Sequence, residues 1–206
     1  MRSSLAFFSA VLVSLPLLVG CAADRQEPTE DDAALTAEDD SALKSQEPLP
    51  NFKEVSPGLF RGGHPNTAGI AELKRRGVKV IVDLEVADLI EATPGVIAQE
   101  LRDAKAAGIP VVRFPMSAFE PALSSRFDTQ MTAAIAELRK ASPTNPVYVH
   151  CKHGQDRTGL VVGLHRVENE RVNATVAYAE MKKLGFHTFF LGLREYYERR
   201  TGVDVD

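Results

Sequence analysis

A ten-residue segment, His150 to Gly159, contains the side chains with the clearest capacity for chemistry. It reads HCKHGQDRTG and lies between the apolar runs VYV and LVVGL. A buried strand that ends at Cys151, followed by a helix that begins near Arg157, predicts a tight loop whose backbone amides converge. Gly154 allows a backbone conformation that most residues resist. Converging amides beside a helix amino terminus form an anion site that suits phosphate.

Three side chains of this loop predict covalent phosphoryl transfer. The positive field of the loop favours the thiolate form of Cys151, which is the nucleophilic form. The planar fork of Arg157 can hold two phosphate oxygens at once. Thr158 places a hydroxyl group at the start of the helix, within reach of the sulfur. A cysteine nucleophile with amides and arginine as charge stabilisers makes a phosphoryl-transfer site.

The segment resembles the signature of the cysteine-dependent protein tyrosine phosphatase superfamily, which is His-Cys, five residues, Arg, Ser or Thr, and Gly. In the order of its elements, the range 52–190 is similar to compact, atypical dual-specificity phosphatases. The resemblance implies an enzyme that hydrolyses phosphate monoesters through a phosphocysteine, without metal or cofactor. It makes Cys151 the nucleophile, Arg157 the phosphate binder and Thr158 the hydroxyl that eases departure of the thiolate. His150 becomes a buried support without an acid–base role.

The other side chains of the loop concern the substrate. Lys152 and His153 would favour a substrate with several negative charges, and in this superfamily basic loops often accompany phosphoinositides or inositol phosphates. The alternative is a solvent-facing lysine that contributes little, and the substrate is then a phosphotyrosine, phosphoserine or phosphothreonine protein. The predicted substrate-binding residues are Lys152, His153, Gly154, Gln155, Asp156 and Arg157.

The general acid that the superfamily needs is the least defined residue. Usually it is an aspartate on an upstream loop, but the segment FPMSAFEPALSSRFD holds only Glu120 and Asp128 as carboxylates. Glu120 lies 31 residues before Cys151, in a loop, and is the preferred candidate. Asp128 falls in the first turn of a predicted helix, where carboxylates bind free amides. Asp156 is the third candidate.

Charge and composition divide the chain of 206 residues near residue 50. Residues 1–50 carry nine acidic and three basic side chains, whereas residues 51–206 carry nineteen and twenty-one, a net charge of +2. That charge suits an anionic substrate but is too small to indicate nucleic-acid binding. Oligomeric state is left open by the sequence.

The amino terminus has the pattern of an exported bacterial lipoprotein. Arg2 precedes the apolar segment 5–19, whose length is typical of a signal-peptide core and short for a membrane-spanning helix. The letters LVGC that end it resemble a lipobox, which makes Cys21 the lipidated residue and leaves Cys151 without a partner. We therefore expect a signal peptide at 1–20, a lipid-anchored disordered acidic tether at 21–50 and a catalytic domain at 51–206, outside the cytoplasm and anchored at the outer membrane or facing the periplasm.

The hydrophobic pattern of the domain predicts alternating strands and helices. Strands are expected at FKEV, LFRGGHP, VKVIVDLE, IPVVRFPM and PVYVHC, and helices at 66–76, 96–107, 125–141, 158–171, 173–184 and 189–200. The expected fold is α/β: a single domain with a central, mainly parallel sheet of about four to five strands flanked by helices. In such sheets the ligand binds at the carboxyl ends of the strands, where HCKHGQDRTG lies.

Several residues have simpler interpretations. A zinc site at His150, Cys151 and His153 lacks a second pair of ligands, so no metal site is predicted. Asp83 is expected to be a structural hydrogen-bonding residue. We expect surface or packing positions for His64, His165 and His187, and core positions for Phe186, Phe189 and Phe190. Two rival functions remain: a rhodanese-like sulfurtransferase, and a catalytically silent phospho-binding lipoprotein.

Overall fold

A five-stranded sheet forms the centre of the domain. The computed structural model describes residues 47–86, 95–119 and 124–205. The strands are β1 (Lys53–Ser56), β2 (Leu59–Gly62), β3 (Val80–Asp83), β4 (Val111–Arg113) and β5 (Val147–His150). Their order is β1-β2-β5-β3-β4. Of these five strands, β1 and β2 form an antiparallel hairpin. β5 pairs in parallel with β2 and with β3, and β3 pairs in parallel with β4.

Six helices cover the two faces of the sheet in the described part of the chain. They are α1 (Thr67–Arg75), α2 (Val96–Ala107), α3 (Ser125–Leu138), α4 (Asp156–Glu168), α5 (Ala174–Lys183) and α6 (Leu191–Thr201). Local signals start several of them: the side chain of Asn66 accepts a hydrogen bond from the Gly69 amide, and Ser124 accepts one from Phe127. Such caps are each worth about 1 kcal/mol to a helix.

Alternation along the strands produces two apolar layers. In β5, Val147 and Val149 face the larger core beneath helices α3 to α6, whereas Tyr148 faces the smaller core beneath α1 and α2. Helix α4 lies at the centre of the larger layer, and its residues 157–165 are all buried. The first turn of α4 is therefore held rigidly against the carboxyl end of β5.

The predicted fold class is confirmed, and its elements lie within a few residues of the predicted ranges. One packing prediction is wrong: Phe189 is 68% exposed, and Phe190 is only partly buried, whereas Phe186 is in the core. The segments 1–46, 87–94 and 120–123 lie outside the described residues, so the structure does not address the predictions for the signal peptide at 1–20, for Cys21 and most of the tether, or for Glu120. Among the described helices, none is both long and apolar enough to cross a membrane.

Candidate active site

Four consecutive carbonyl groups of the 151–157 loop are held by donors outside the cradle. The oxygen of Lys152 accepts a bond from the His64 amide (3.1 Å), and that of Gln155 from the Gly159 amide (2.8 Å). The oxygens of His153 and Gly154 accept bonds from the side chains of Asn51 (2.8 Å) and Arg61 (2.6 Å). Because the C=O and the following N–H of a trans peptide point in opposite directions, the amides of residues 153–156 face the interior of the loop. Inward-facing amides are what the predicted anion cradle requires.

Gly154 has the backbone conformation that the sequence predicts for it. Its φ angle is +72°, in the left-handed region that favours glycine. A Cβ at this position would lie 2.3 Å from the carbonyl carbon of Gly62 and 2.5 Å from the amide nitrogen of Gly63. The glycine is required both by the turn and by the close approach of the β2 terminus.

Arg61, in β2, is a buried support of the loop that the sequence analysis missed. The residue is only 2% exposed. One guanidinium nitrogen donates to Gly154 at 2.6 Å and to Gln155 at 3.5 Å. Burial lowers the pKa of Arg61 to about 10, although the nearby Cys151 acts in the opposite direction. The sequence contains one signal for this role. Arg61 is a charged residue within the strand LFRG, and a buried arginine requires partners.

The three residues that carry the predicted chemistry meet at the junction of β5 and α4. Cys151 follows β5 directly and is 2% exposed. Arg157 lies in the first turn of α4, is buried, and one of its guanidinium nitrogens lies 3.4 Å from the carbonyl oxygen of Met116. The hydroxyl of Thr158 is buried and has no hydrogen-bond partner among the described residues. Within the described ranges no side chain caps the amino terminus of α4, so its first amides can add to the anion cradle.

A buried network of charged side chains lies beside the nucleophile. His150 contacts Glu100 through Nε2 (3.0 Å), and His64 contacts Glu85 through Nδ1 (2.7 Å). Burial alone would lower the pKa of His150, but the charge of Glu100, the hydrogen bond to Glu100 and the nearby carboxylate of Glu85 outweigh it and raise the pKa well above 6.5. Burial would raise the pKa of Glu85, yet the nearby His150 and the hydrogen bond to His64 lower it below 4.5. His64 is thus held by a hydrogen bond to Glu85, beyond the packing position expected for it.

Asp83 has the structural role expected from the sequence. It is fully buried, accepts a hydrogen bond from the Glu85 amide at 2.6 Å and pairs with Arg113 at 2.5 Å. It thereby orients the chain that follows β3.

Asp156 fastens a second loop to the phosphate cradle. Its carboxylate accepts a bond from the His187 amide (2.8 Å) and lies 3.0 Å from the ring Nδ1 of the same residue. Gly185 packs closely against the side chain of Gln155: a Cβ on Gly185 would lie 2.7 Å from Nε2 of Gln155. His187 is exposed and serves this anchor. Asp156 and Gln155, which the sequence predicts to face the substrate, thus also hold this second loop.

An aromatic rim, defined as Phe119, Phe189 and Phe190, joins this second loop to the loop after β4. The rings of Phe119 and Phe190 lie 5.3 Å apart and those of Phe189 and Phe190 4.5 Å apart. Phe119 is 69% exposed. The rim is connected to the cradle through His187, whose ring lies 5.1 Å from that of Phe189.

The candidate general acids have different surroundings. Asp128 accepts a 2.6 Å bond from the Tyr196 hydroxyl and lies 3.4 Å from Arg200, so its hydrogen bonds go to α6. Asp156 is engaged by His187. Glu120 lies outside the described residues, directly after Phe119.

The basic side chains of the loop lie near the surface. Lys152 is partly buried and His153 is exposed. Partial desolvation, with the charges of Lys152 and Arg157, lowers the pKa of His153 from 6.5. A bound anion would offset that repulsion.

The sheet is mainly parallel, and a cysteine follows its central strand directly. The next loop turns its amides inward, and the helix after it supplies an arginine. This fold and this site define the class of the cysteine-dependent phosphatases. A family model described as the DSP-PTPase phosphatase fused to NAD+ kinase matches residues 38–190. The chain belongs to this DSP-PTPase family, and the predicted resemblance is confirmed. The comparisons do not favour a sulfurtransferase.

The relatives include a protein phosphatase and an inositol diphosphatase. The dual specificity protein phosphatase TpbA of Pseudomonas aeruginosa (strain UCBPP-PA14) is 31% identical over 68% of this chain and 57% of its own length. The inositol diphosphatase DSP4 of Arabidopsis thaliana is 32% identical over 56% of this chain and 54% of its own. Crystal structures of P. aeruginosa TpbA, one of them a phosphotyrosine complex, have a TM-score of 0.57 and 26% identity over 76% of this chain and 86% of theirs. The chain thus spans little more than half the length of the curated relatives.

Proposed function

We propose that this protein is a phosphatase that hydrolyses phosphate monoesters through a phosphocysteine at Cys151. The observation that carries the proposal is the set of outward carbonyls at residues 152–155, which leaves the following amides turned towards the interior of the loop that begins at Cys151. Arg157 in the first turn of α4 supplies the matching cation. Such preorganised donors are worth most where negative charge develops in the transition state.

The reaction follows from this geometry in two steps. The Cys151 thiolate attacks phosphorus, a P–S bond forms, and the P–O bond to the leaving group breaks as that oxygen takes a proton. Water then attacks the phosphocysteine and gives a proton to the carboxylate that protonated the leaving oxygen, the P–S bond breaks, and inorganic phosphate leaves as the Cys151 thiolate is restored. Arg157 and the loop amides hold the equatorial oxygens throughout, and Thr158 donates to the departing thiolate.

Glu120 is the proposed donor of the proton to the leaving oxygen. Its support is the sequence spacing, together with its position next to Phe119 of the aromatic rim. The carboxylates of Asp128 and Asp156 are occupied by Tyr196 and His187, which makes them poorer donors. In a pH–rate profile, Glu120→Gln should remove the limb that reports the protonated acid.

Turnover of para-nitrophenyl phosphate tests the reaction itself. Cys151→Ser should abolish turnover while leaving the unfolding transition in place, and the unmutated chain should release phosphate without added metal. An unchanged rate in Cys151→Ser would refute the proposal. Tight binding of a phosphate ester without turnover by the unmutated chain would instead support the silent phospho-binding alternative.

The aromatic rim favours phosphotyrosine as the substrate class. Exposed rings at the edge of a phosphate cradle can pack on the ring of an aryl ester, and aromatic pairs contribute about 0.5–1.5 kcal/mol beyond area burial. The phosphotyrosine complex of TpbA supports the same class by relationship.

Inositol phosphates are the second candidate class. Lys152 and His153 offer positive charge at the edge of the cradle, and an inositol diphosphatase is among the relatives. A turnover panel of phosphotyrosine peptides, phosphoserine peptides, phosphoinositides and inositol polyphosphates, with Cys151→Ser as the blank, decides between them. Lys152→Ala should reduce kcat/KM for the polyphosphates only.

Export and lipid anchoring at Cys21 complete the proposal and rest on the signal-like sequence of residues 1–21. They would place the phosphatase domain outside the cytoplasm, tethered to a membrane by an acidic segment. Labelling of cells with a fatty-acid probe should mark the unmutated protein and not Cys21→Ala. Equal labelling of both would contradict the anchor.

A further inference from the structure

Histidine and carboxylate groups meet at the carboxyl ends of three neighbouring strands, outside the phosphate cradle. His64 follows β2, Glu85 follows β3, and His150 ends β5, which lies between them in the sheet. Oε1 of Glu85 lies 2.7 Å from Nδ1 of His64 and 3.5 Å from Nδ1 of His150. All three potential ligand atoms lie within 4.8 Å of one another. In a tetrahedral zinc site with bonds near 2.1 Å, ligand atoms are roughly 3.4 Å apart, so small side-chain movements would suffice.

The orientation of His150 provides an independent indication of a ligand. Its Nε2 lies 3.0 Å from Oε1 of Glu100, whereas its Nδ1 is buried and has no hydrogen-bond partner among the described residues. Metal-binding histidines usually donate their second ring N–H to a carboxylate, which fixes the ring and leaves the other nitrogen for the metal. Oε2 of Glu100 is also buried without a hydrogen-bond partner in the described ranges, 3.5 Å from Nδ1 of His64.

We infer that His64, Glu85 and His150 form a binding site for a divalent transition-metal ion, with Glu100 as the carboxylate that positions His150. Two imidazoles, one carboxylate and an open position are a ligand set that zinc accepts, whereas calcium takes six to eight oxygen ligands. The His64 side chain is 15% exposed, while those of Glu85 and His150 are 4% and 0% exposed. The ion would therefore enter past His64.

A metal ion at this site would affect the cradle without taking part in the phosphoryl-transfer step. His150 directly precedes the nucleophile, and the amide of His64 donates to the carbonyl of Lys152 at 3.1 Å. A metal bound to both histidines would tie the loop to the ends of three strands. It would stabilise the folded domain by mass action.

Zinc titration calorimetry on chelator-treated Cys151→Ser tests the site. This background removes the thiolate, which would bind zinc itself, and a pH of about 8 reduces competition from protons for the histidine nitrogens. We expect one Zn²⁺ per chain. Adding His64→Gln, which keeps a donor for Glu85, should weaken binding more than about 100-fold, and adding Glu100→Gln should weaken it about 10- to 100-fold.

His153→Ala is the matched control, because it removes an exposed histidine of the same loop that is no ligand. Its affinity for zinc should equal that of the Cys151→Ser background. Zinc should also raise the melting temperature of that background but not that of the His64→Gln variant, which is shown to be folded by the same melt. No binding, equal binding in His64→Gln, or loss in His153→Ala would overturn the inference. Because every protein in the test is inactive, the outcome is independent of the proposed phosphatase activity.

Discussion

The guanidinium group of Arg61 donates a 2.6 Å hydrogen bond to the carbonyl oxygen of Gly154, across 93 residues of sequence. This buried bond links β2 to the middle of the phosphate cradle. It fixes the peptide plane whose opposite edge is the amide of Gln155. A strand residue without contact to substrate thus orients a group that would bind it.

Arg61→Met should reduce both stability and turnover, because it leaves the carbonyl of Gly154 buried without its donor. The expected loss in the free energy of unfolding is about 1–3 kcal/mol, measured by urea denaturation, with a lower kcat for para-nitrophenyl phosphate. Arg75→Met is the control: its guanidinium is exposed and bonds to Glu72, so stability should change by less than about 0.5 kcal/mol. Equal effects of the two changes would show that the Arg61 bond has no special role.

Gly154→Ala should be more harmful than Gly77→Ala, although both glycines have φ angles in the left-handed region, +72° and +78°. A Cβ on Gly77 would meet no atom of the described residues within 4 Å, whereas one on Gly154 would lie 2.3 Å from Gly62. We expect Gly77→Ala to cost about 1–2 kcal/mol of stability with kcat unchanged. Gly154→Ala should cost more and also lower kcat, as measured by denaturation and steady-state kinetics. A normal kcat in Gly154→Ala would show that catalysis does not depend on the conformation of the cradle.

Phe119→Ala and Phe190→Ala should selectively weaken the binding of aryl phosphate substrates. Loss of one ring contact worth about 0.5–1.5 kcal/mol raises KM for a phosphotyrosine peptide roughly two- to tenfold. KM for a phosphoserine peptide should not change, since it presents no ring. Val176→Ala, an exposed position on α5, should leave both values unaltered. A parallel rise for both peptides would indicate a general disturbance of the loop.

Ionisation of tyrosines should accompany unfolding at alkaline pH. Burial, assisted by the bond to Asp128, raises the pKa of Tyr196 to about 12, and burial raises that of Tyr197 to about 12. Because these folded-state values exceed the ordinary value of 10.0, their contribution to stability is complete below pH 10 and is lost as the pH rises towards 12. Urea denaturation from about pH 9 to about pH 12 should show a falling free energy of unfolding.

Tyr197→Phe checks the origin of that fall. The Tyr197 hydroxyl donates to the carbonyl of Ala174 at 2.7 Å, so the variant loses some stability at neutral pH but should show a shallower decline above pH 10. Tyrosinate absorbance in the unmutated protein should rise late, together with the loss of structure. An early rise near the ordinary pKa, with the fold intact, would contradict the assignment.

The sequence alone determined the strand–loop–helix unit at 147–168 and the chemistry of Cys151, Arg157 and Thr158. These features depend on neighbours in the chain: apolar periodicity positions β5 and α4, and a glycine at 154 permits the turn between them. The alternation of strands and helices likewise predicted the parallel sheet, because each element is coded by a local pattern.

Only the tertiary structure decided what surrounds that unit. Four residues at the base of the loop precede it by about 50 to 90 positions in the sequence: Arg61, His64, Glu85 and Glu100. No spacing rule indicates that the sheet order β2-β5-β3 brings them to the base of the loop. Phe189 was expected in the core on hydrophobicity, but it lies in a loop fastened by Asp156 to the edge of the site. Partners of buried charges and the exposure of a ring depend on how distant elements pack, and a linear pattern does not contain that information.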